Sequence, residues 1–242
     1  MSAPLEPTRA HAGEPHRGHL GERLNWLRAG VLGANDGIIS VAGLVVGVAG
    51  ATTDRTAIMI AGVASLVAGA LSMAGGEYVS VSTQRDTEQA ALRLERYELE
   101  TMPEAEEREL AEIYEDRGLS PDLAAEVAHE LTQNNALEAH AEAELGIDPD
   151  ALTSPWHAAW ASLAAFFCGG LLPLVAIALP PVEWRVWACA GAVLVGLVLT
   201  GWVSARLGNA TVSRAIVRNV GVGALTMIVT YVVGVLFGIT TG

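Results

Sequence analysis

Five stretches of about 20 apolar residues, at positions 29–51, 57–76, 156–179, 186–205 and 215–239, constrain this 242-residue chain more than any other feature. A helix needs roughly 20 such residues to cross about 30 Å of hydrocarbon. Five equally apolar helices in a soluble protein would need a coat of further elements, and the chain has none to spare. Trp156, Trp160, Trp184, Trp187 and Trp202 sit at or near the ends of the third and fourth stretches, where interfacial aromatics belong. The fold class predicted is therefore all-α: an integral membrane protein with five transmembrane helices.

The net charge of −13 sits oddly with that reading until it is divided along the chain. Residues 77–150 hold 16 Glu and 5 Asp against 5 Arg, a net −16, and the remainder carries +3. The acidity belongs to one insert between spans two and three. All 14 basic residues are Arg, and their placement sets the orientation. With the N-terminus inside, 12 Arg are cytoplasmic and only Arg55 and Arg185 lie outside. The expected topology has the N-terminus and the acidic insert in the cytoplasm and the C-terminus outside. Residues 1–28 form a polar tail with His11, His16 and His19, residues 29–80 spans one and two, 81–150 the insert, and 151–242 the last three spans. The tail lacks the apolar core and cleavage site of a signal peptide. Nucleic acid is excluded as a partner for want of a basic face. Cys168 and Cys189 lie inside apolar runs and read as packing residues rather than a disulfide.

The insert carries helix punctuation that a disordered acidic tail would not need. No breaker follows Gly76, so the second span is predicted to run on as a helix to about Glu100. Thr101-Met-Pro-Glu104 has capping-box spacing, with Leu110, Ile113 and Tyr114 as the apolar face of the helix it opens and Gly118 as its stop. Ser120-Pro121 opens another, with Leu123, Val127 and Leu131 on one stripe, reaching Leu145 before Gly146. The prediction is a small bundle of three helices. Most of its Glu residues are a solvated face. Yet Glu95 and Glu98, and Glu106 and Glu109, are three apart, while His140 and Glu144 are four apart, so each pair shares a helix face. Carboxylates with a His projected inward from several helices are how bundles build iron and manganese sites.

Inside the spans, an ionisable group costs about 2.5–3.5 kcal/mol on insertion scales and is a functional candidate by default. Asn35 and Asp36 lie in the first span, and Met73 and Glu77 close the second. Counted from Arg28 and Arg85 at about 1.5 Å per residue, Asp36, Met73 and Glu77 are expected at similar depth in the cytoplasmic half. Two carboxylates and a thioether make a transient site for a divalent ion. Gly33/Gly37, Gly43/Gly47 and Gly234/Gly238 have the small-xxx-small spacing that permits close helix approach or dimerisation. Pro173, after Gly169-Gly170, is expected to kink the third span.

Residues 27–48 (LRAGVLGANDGIISVAGLVVGV) and 68–88 (AGALSMAGGEYVSVSTQRDTE) closely resemble the vacuolar iron transporter family, which includes yeast-type calcium-cross-complementing transporters and bacterial members. The five-span order, the insert after span two and the GLLPL turn at 170–174 extend the resemblance from about residue 24 to the end. It implies a bacterial-type member in the plasma membrane: a homodimeric, proton-coupled exporter of Fe²⁺ or Mn²⁺, the ion being cargo, with no prosthetic group and no enzymatic step. By position, Asp36 and Met73 match the family's membrane ion site, with Glu77 at its mouth. Glu95, Glu98, Glu106 and Glu109 match its carboxylate ligands. Glu144-Leu-Gly is retained, but His140 and Ala141 stand where the family's eukaryotic pattern has a Met pair.

The partners expected are metal ions, protons, a second copy of the chain and lipid. An enzyme reading, a membrane-anchored ferritin-like iron oxidase, draws on Glu126-Val-Ala-His129, but such sites need two Glu-x-x-His copies and only one occurs.

Overall fold

The protein is all-helical. The computed structural model describes residues 17–241, with side chains from 30 to 238. The elements are α1 (Arg17–Ala51), α2 (Arg55–Thr101), α3 (Pro103–Asp116), α4 (Pro121–His140), a π-helical turn (Ala141–Leu145), α5 (Pro155–Ala178), α6 (Arg185–Leu207) and α7 (Val212–Thr241). Five helices, α1, α2, α5, α6 and α7, are long and apolar enough to cross a membrane. The expected histidine tail falls largely beyond reach, since His11, His16 and the side chain of His19 lie outside the described residues. Helix α1 begins at Arg17, well before the apolar run, because Leu20, Leu24 and Leu27 already repeat at helical spacing.

The chain divides into two compact units. One comprises α1, α2 up to Leu66, and the chain from Ala165 onward. Its core is built on α1, where Val41, Ala42 and Val45 are fully buried with Cys189, Val193 and Leu197 of α6. Helix α1 packs on both α6 and α7. The glycine stripes serve this packing. A Cβ on Gly37 would run into the carbonyl oxygen of Phe166, and one on Gly234 into that of Gly47. The spacing read as permitting either close approach or dimerisation is thus used inside the chain. Helix α5 runs from Pro155 to Ala178 with Pro173 inside it. The outward surface is large and apolar, including Ile60, Val217, Leu225 and Ile228, a coat that lipid rather than water would solvate. Trp156, Trp160, Trp184, Trp187 and Trp202 are all exposed.

The second unit spans Val67–Ala164. Helix α2 continues unbroken to Thr101, as the absence of a breaker predicts. Its stretch within this unit meets the start of α5 through the rings of Tyr78 and Trp156, 4.8 Å apart. Leu92, Leu110, Ala124, Ala128 and Ala141 form the apolar core. Gly118 (φ 101°) and Gly146 (φ 65°) take left-handed backbone at the ends of α3 and the π-helical turn, as helix-stopping glycines do.

The structure corrects three local expectations. The helix opened by Ser120-Pro121 does not run on evenly to Leu145: Asn135 has extended backbone inside it, α4 ends at His140, and residues 141–145 are a π-helical turn. The capping box at Thr101 does not form: Thr101 is still the last residue of α2, its hydroxyl donates back to the Tyr97 carbonyl (2.8 Å), and Met102 is the N-cap of α3, with Pro103 opening the helix. The buried stripe of α4 is one residue round from the predicted one. Ala124 and Ala128 are fully buried where α3 packs on α4, and Leu123 is 48% exposed, because small side chains allow the two helices to approach and Leu would hold them apart.

Candidate metal centre

The six acidic and histidine positions singled out in the insert come from three helices and the π-helical turn. Glu95 and Glu98 sit near the end of α2, Glu106 and Glu109 in the first half of α3, His140 at the last residue of α4, and Glu144 within the turn. Glu95 lies 19 residues beyond Gly76, roughly 28 Å of helix past the end of the apolar stretch. The geometry centres on His140, which is fully buried. Its Nδ1 stands 3.1 Å from Glu95 Oε1, 3.8 Å from Glu106 Oε2 and 4.0 Å from Glu144 Oε2. Ligand atoms of Glu95, His140 and Glu144 all lie within 4.8 Å of one another. Donors at about 2.0–2.3 Å from a shared cation stand roughly 3–4.5 Å apart, so this spacing suits one ion.

Hydrogen bonding leaves the centre incomplete. Glu95, 3% exposed, has an Oε1 with no hydrogen-bond partner, and neither ring nitrogen of His140 has one. The 3.1 Å approach between Glu95 and His140 is close without the alignment of a hydrogen bond. Orphaned buried polar atoms cost about 1–3 kcal/mol each, and a cation bound between Glu95 Oε1 and one ring nitrogen of His140 would satisfy both of those atoms at once.

The electrostatics point the same way. Burial pushes the Glu95 carboxyl up to about 7, helped by repulsion from Glu144, Glu106 and Glu98. Glu106 and Glu144 are also raised, burial first and the Glu109 charge second. Burial lowers the His140 pKa, against the opposing pull of Glu109. The imidazole is therefore held neutral, the form that binds metals. Glu98 and Glu109 act on the cluster through their charge, and Glu109 is exposed.

The remaining candidates separate cleanly. His129 of the Glu-x-x-His motif is not part of the cluster. It lies exposed, with Nδ1 2.8 Å from Glu107 Oε1 and Nε2 accepting from Gln133 Nε2 at 2.7 Å, while Glu126 is exposed as well. In α1, Asp36 is exposed and accepts a 2.6 Å hydrogen bond from Ser40, and Asn35 accepts one of 2.5 Å from Thr200 of α6. Met73 and Glu77 are half-buried on α2. Sequence reasoning passed over Ser40 and Thr200, since a lone hydroxyl in an apolar run is a weak signal. It also passed over Asn135, although Asn135-Ala-Leu-Glu138 has the spacing of a helix start inside what reads as one helix.

Comparison with known proteins bears on all of these residues. The model of the VIT family matches residues 27–235. A vacuolar iron transporter from Acanthamoeba castellanii is 44% identical over 225 residues, covering 93% of this chain and 83% of the relative. Vacuolar iron transporter homolog 1 from Oryza sativa subsp. japonica is 38% identical over 217 residues, 89% of this chain and 75% of its own. Vacuolar iron transporter homolog 2 from Arabidopsis thaliana is 34% identical over 219 residues, 90% and 87% respectively.

Proposed function

Because the chain belongs to the VIT family, we propose that it carries divalent iron or manganese, or both, out of the cytosol in exchange for protons, as a homodimer. The observation that carries the reading is the cluster of Glu95, His140 and Glu144, with Glu95 and His140 buried and unpartnered, Glu144 at its exposed edge, and ligand atoms spaced for one ion. In this reading Glu95, Glu98, Glu106, Glu109, His140 and Glu144 gather the ion. Glu77 receives it, and Asp36 and Met73 hold it within the membrane. Asn35, tied to Thr200, fixes the stretch of α1 that bears Asp36. A proton arriving at Asp36 or Glu77 from the far side cancels a negative charge and releases the ion, which couples the two flows. The Arg distribution supports a cytoplasmic N-terminus and insert. The ion changes sides and not oxidation state, so the protein is no enzyme.

The test is Fe²⁺ flux into proteoliposomes under an imposed pH gradient, with internal pH followed at the same time. The wild-type chain takes up Fe²⁺ and moves protons the other way. Asp36→Asn, which keeps the shape and removes the charge, takes up none. Undiminished flux in that variant removes Asp36 from the path, and flux indifferent to the gradient removes the coupling.

A further inference from the structure

Two of the cluster's donors, His140 and Glu144, sit on a separate piece of helix. Asn135 has extended backbone (φ −158°, ψ 89°) in the middle of α4, so the helix direction is broken there. The residues beyond it make a new helix start rather than a bend. Asn135 Oδ1 accepts from the Glu138 N–H at 3.3 Å, the bond an N-cap makes to the residue three positions on, and Asn135 Nδ2 donates to Glu138 Oε2 at 2.9 Å, a side-chain pair between the same two residues. The piece ends at Gly146, whose left-handed backbone stops the π-helical turn. Residues 136–145 therefore form a short arm between two backbone breaks, and the arm bears both donors.

The far end of the arm is held by a side chain. In an α-helix the N–H of Ile147 would bond to the carbonyl of Ala143, but here it goes to Ala141 at 2.8 Å. The Ala143 carbonyl is taken up by Arg117 Nη2 instead. Arg117 is the C-cap residue of α3, the helix that carries Glu106 and Glu109, and its guanidinium lies over the Tyr114 ring, 5.2 Å from the centroid. A cation at the carbonyl end of a helical segment is also favoured by the segment's dipole. One exposed arginine thus fastens the arm to a second donor-bearing helix, while Glu95 is supplied by α2.

We infer that Asn135 and Arg117 are positioning residues, hinge and latch, which hold His140 and Glu144 against Glu95 so that the three donors meet one ion. The inference rests on reading the cluster as the ion-gathering site. Arg117 touches no donor atom and acts through the Ala143 carbonyl alone. With the latch released, the arm turns about Asn135 and takes two donors away together, so affinity falls while the transport step in the membrane is untouched.

The test uses the full chain in detergent micelles, with Mn²⁺ as the probe, free Mn²⁺ read by electron paramagnetic resonance, and amide exchange followed over residues 136–147. Arg117→Gln and Asn135→Ala bind Mn²⁺ roughly tenfold more weakly than wild type. Their arm amides exchange faster without metal and regain protection when it is added, while those around Leu110 keep their protection. Arg117→Lys, which still places a donor and a charge at the Ala143 carbonyl, restores most of the affinity, as does Asn135→Ser, which keeps the capping oxygen. In proteoliposomes Arg117→Gln raises KM for Mn²⁺ and leaves the maximal rate intact. Wild-type affinity and exchange in both Arg117→Gln and Asn135→Ala, with binding lost in Glu95→Gln, overturns the hinge and latch and leaves the ion site standing. Wild-type affinity in Glu95→Gln overturns the ion site and the inference with it.

Discussion

Replacing Glu95 by Gln separates the two roles of a buried carboxylate, because it is expected to stabilise the metal-free insert and to weaken the metal-bound one. Glu95 is 3% exposed and titrates at about 7 against 4.5 for a free Glu. A group whose folded pKa is raised costs the fold nothing while it is protonated in both states. It begins to cost as the unfolded chain ionises above 4.5, and the cost is complete once the pH passes 7. The shift corresponds to about 3 kcal/mol lost across that window. Gln has the same shape and no charge, and its amide can donate to Glu144. The assay is native-state amide exchange around Leu110 in the chelated full chain, corrected for intrinsic rates. At pH 8 the opening free energy in Glu95→Gln exceeds that of wild type by about 1–3 kcal/mol, and at pH 4.5 the two coincide. Mn²⁺ at 100 times the wild-type Kd then adds about 2.7 kcal/mol to wild type. With a ligand lost and affinity 10- to 100-fold weaker, the variant gains only about 0.4–1.4 kcal/mol. Equal stability of the two metal-free proteins at pH 8 would refute the desolvated carboxylate. Equal gains from Mn²⁺ would refute its role as ligand.

The same geometry sets three further outcomes. Mn²⁺ affinity falls as the pH drops below about 7, because the raised pKa of Glu95 makes a proton compete with the ion, by roughly tenfold per unit at most for one displaced proton; titration calorimetry in buffers of different ionisation enthalpy measures the proton released, and a pH-independent affinity contradicts the assignment. His129→Ala leaves Mn²⁺ binding unchanged, since His129 is exposed and engaged with Glu107 and Gln133, and oxygen consumption with Fe²⁺ stays at background in both proteins; loss of binding or a lost oxidase activity would restore the iron-oxidase reading. Gly37→Ala lowers thermal stability in detergent by about 1–3 kcal/mol through the clash with the Phe166 carbonyl, whereas Gly191→Ala, with open space at the added Cβ, is neutral or stabilising by about 0.5–1 kcal/mol; equal effects at the two sites would show that the glycine stripe is not packed as described.

Much of this organisation is legible in the sequence because the physics behind it is coarse. A bilayer demands about 20 apolar residues whatever their identity, so the five spans are visible without a structure. The run of α2 to Thr101 follows from the lack of any Gly or Pro after Gly76. Glu95, Glu106, His140 and Glu144 emerge as candidates because charge three or four residues apart must share a helix face. What fails is what depends on tertiary fit. Ala124 and Ala128 outcompete Leu123 for the face toward α3 because close approach needs small side chains, a preference that no apolar count reveals. Thr101 has the spacing of a cap but remains inside α2, where its hydroxyl returns to the Tyr97 carbonyl. The break at Asn135 carries no Gly or Pro to mark it in the sequence, and Arg117 is one Arg among several on an exposed surface until Ala143 is seen beside it.

Burial moves the two kinds of donor in opposite directions, and this decides which of them governs the response of the cluster to pH. For His140 the charged form is the protonated one, so removing water lowers its pKa and keeps the imidazole free to bind through the neutral range. For Glu95, Glu106 and Glu144 the charged form is the deprotonated one, so the same removal of water raises each pKa. An exposed set of the same residues would gain and lose its ion near pH 6.5 as the histidine titrated. In this cluster the histidine is a constant, and Glu95 exchanges its proton for the ion close to neutrality. Truncating the bulk around His140 would therefore do more than open a cavity: letting water in would bring the carboxylate pKa values down and the imidazole pKa up, each toward its ordinary value. Ala141→Gly, which removes a fully buried methyl next in sequence to His140 without touching a donor, is expected to shift the midpoint of Mn²⁺ binding to lower pH; a midpoint that stays where it is would mean that neighbouring charge, and not burial, sets the Glu95 proton affinity.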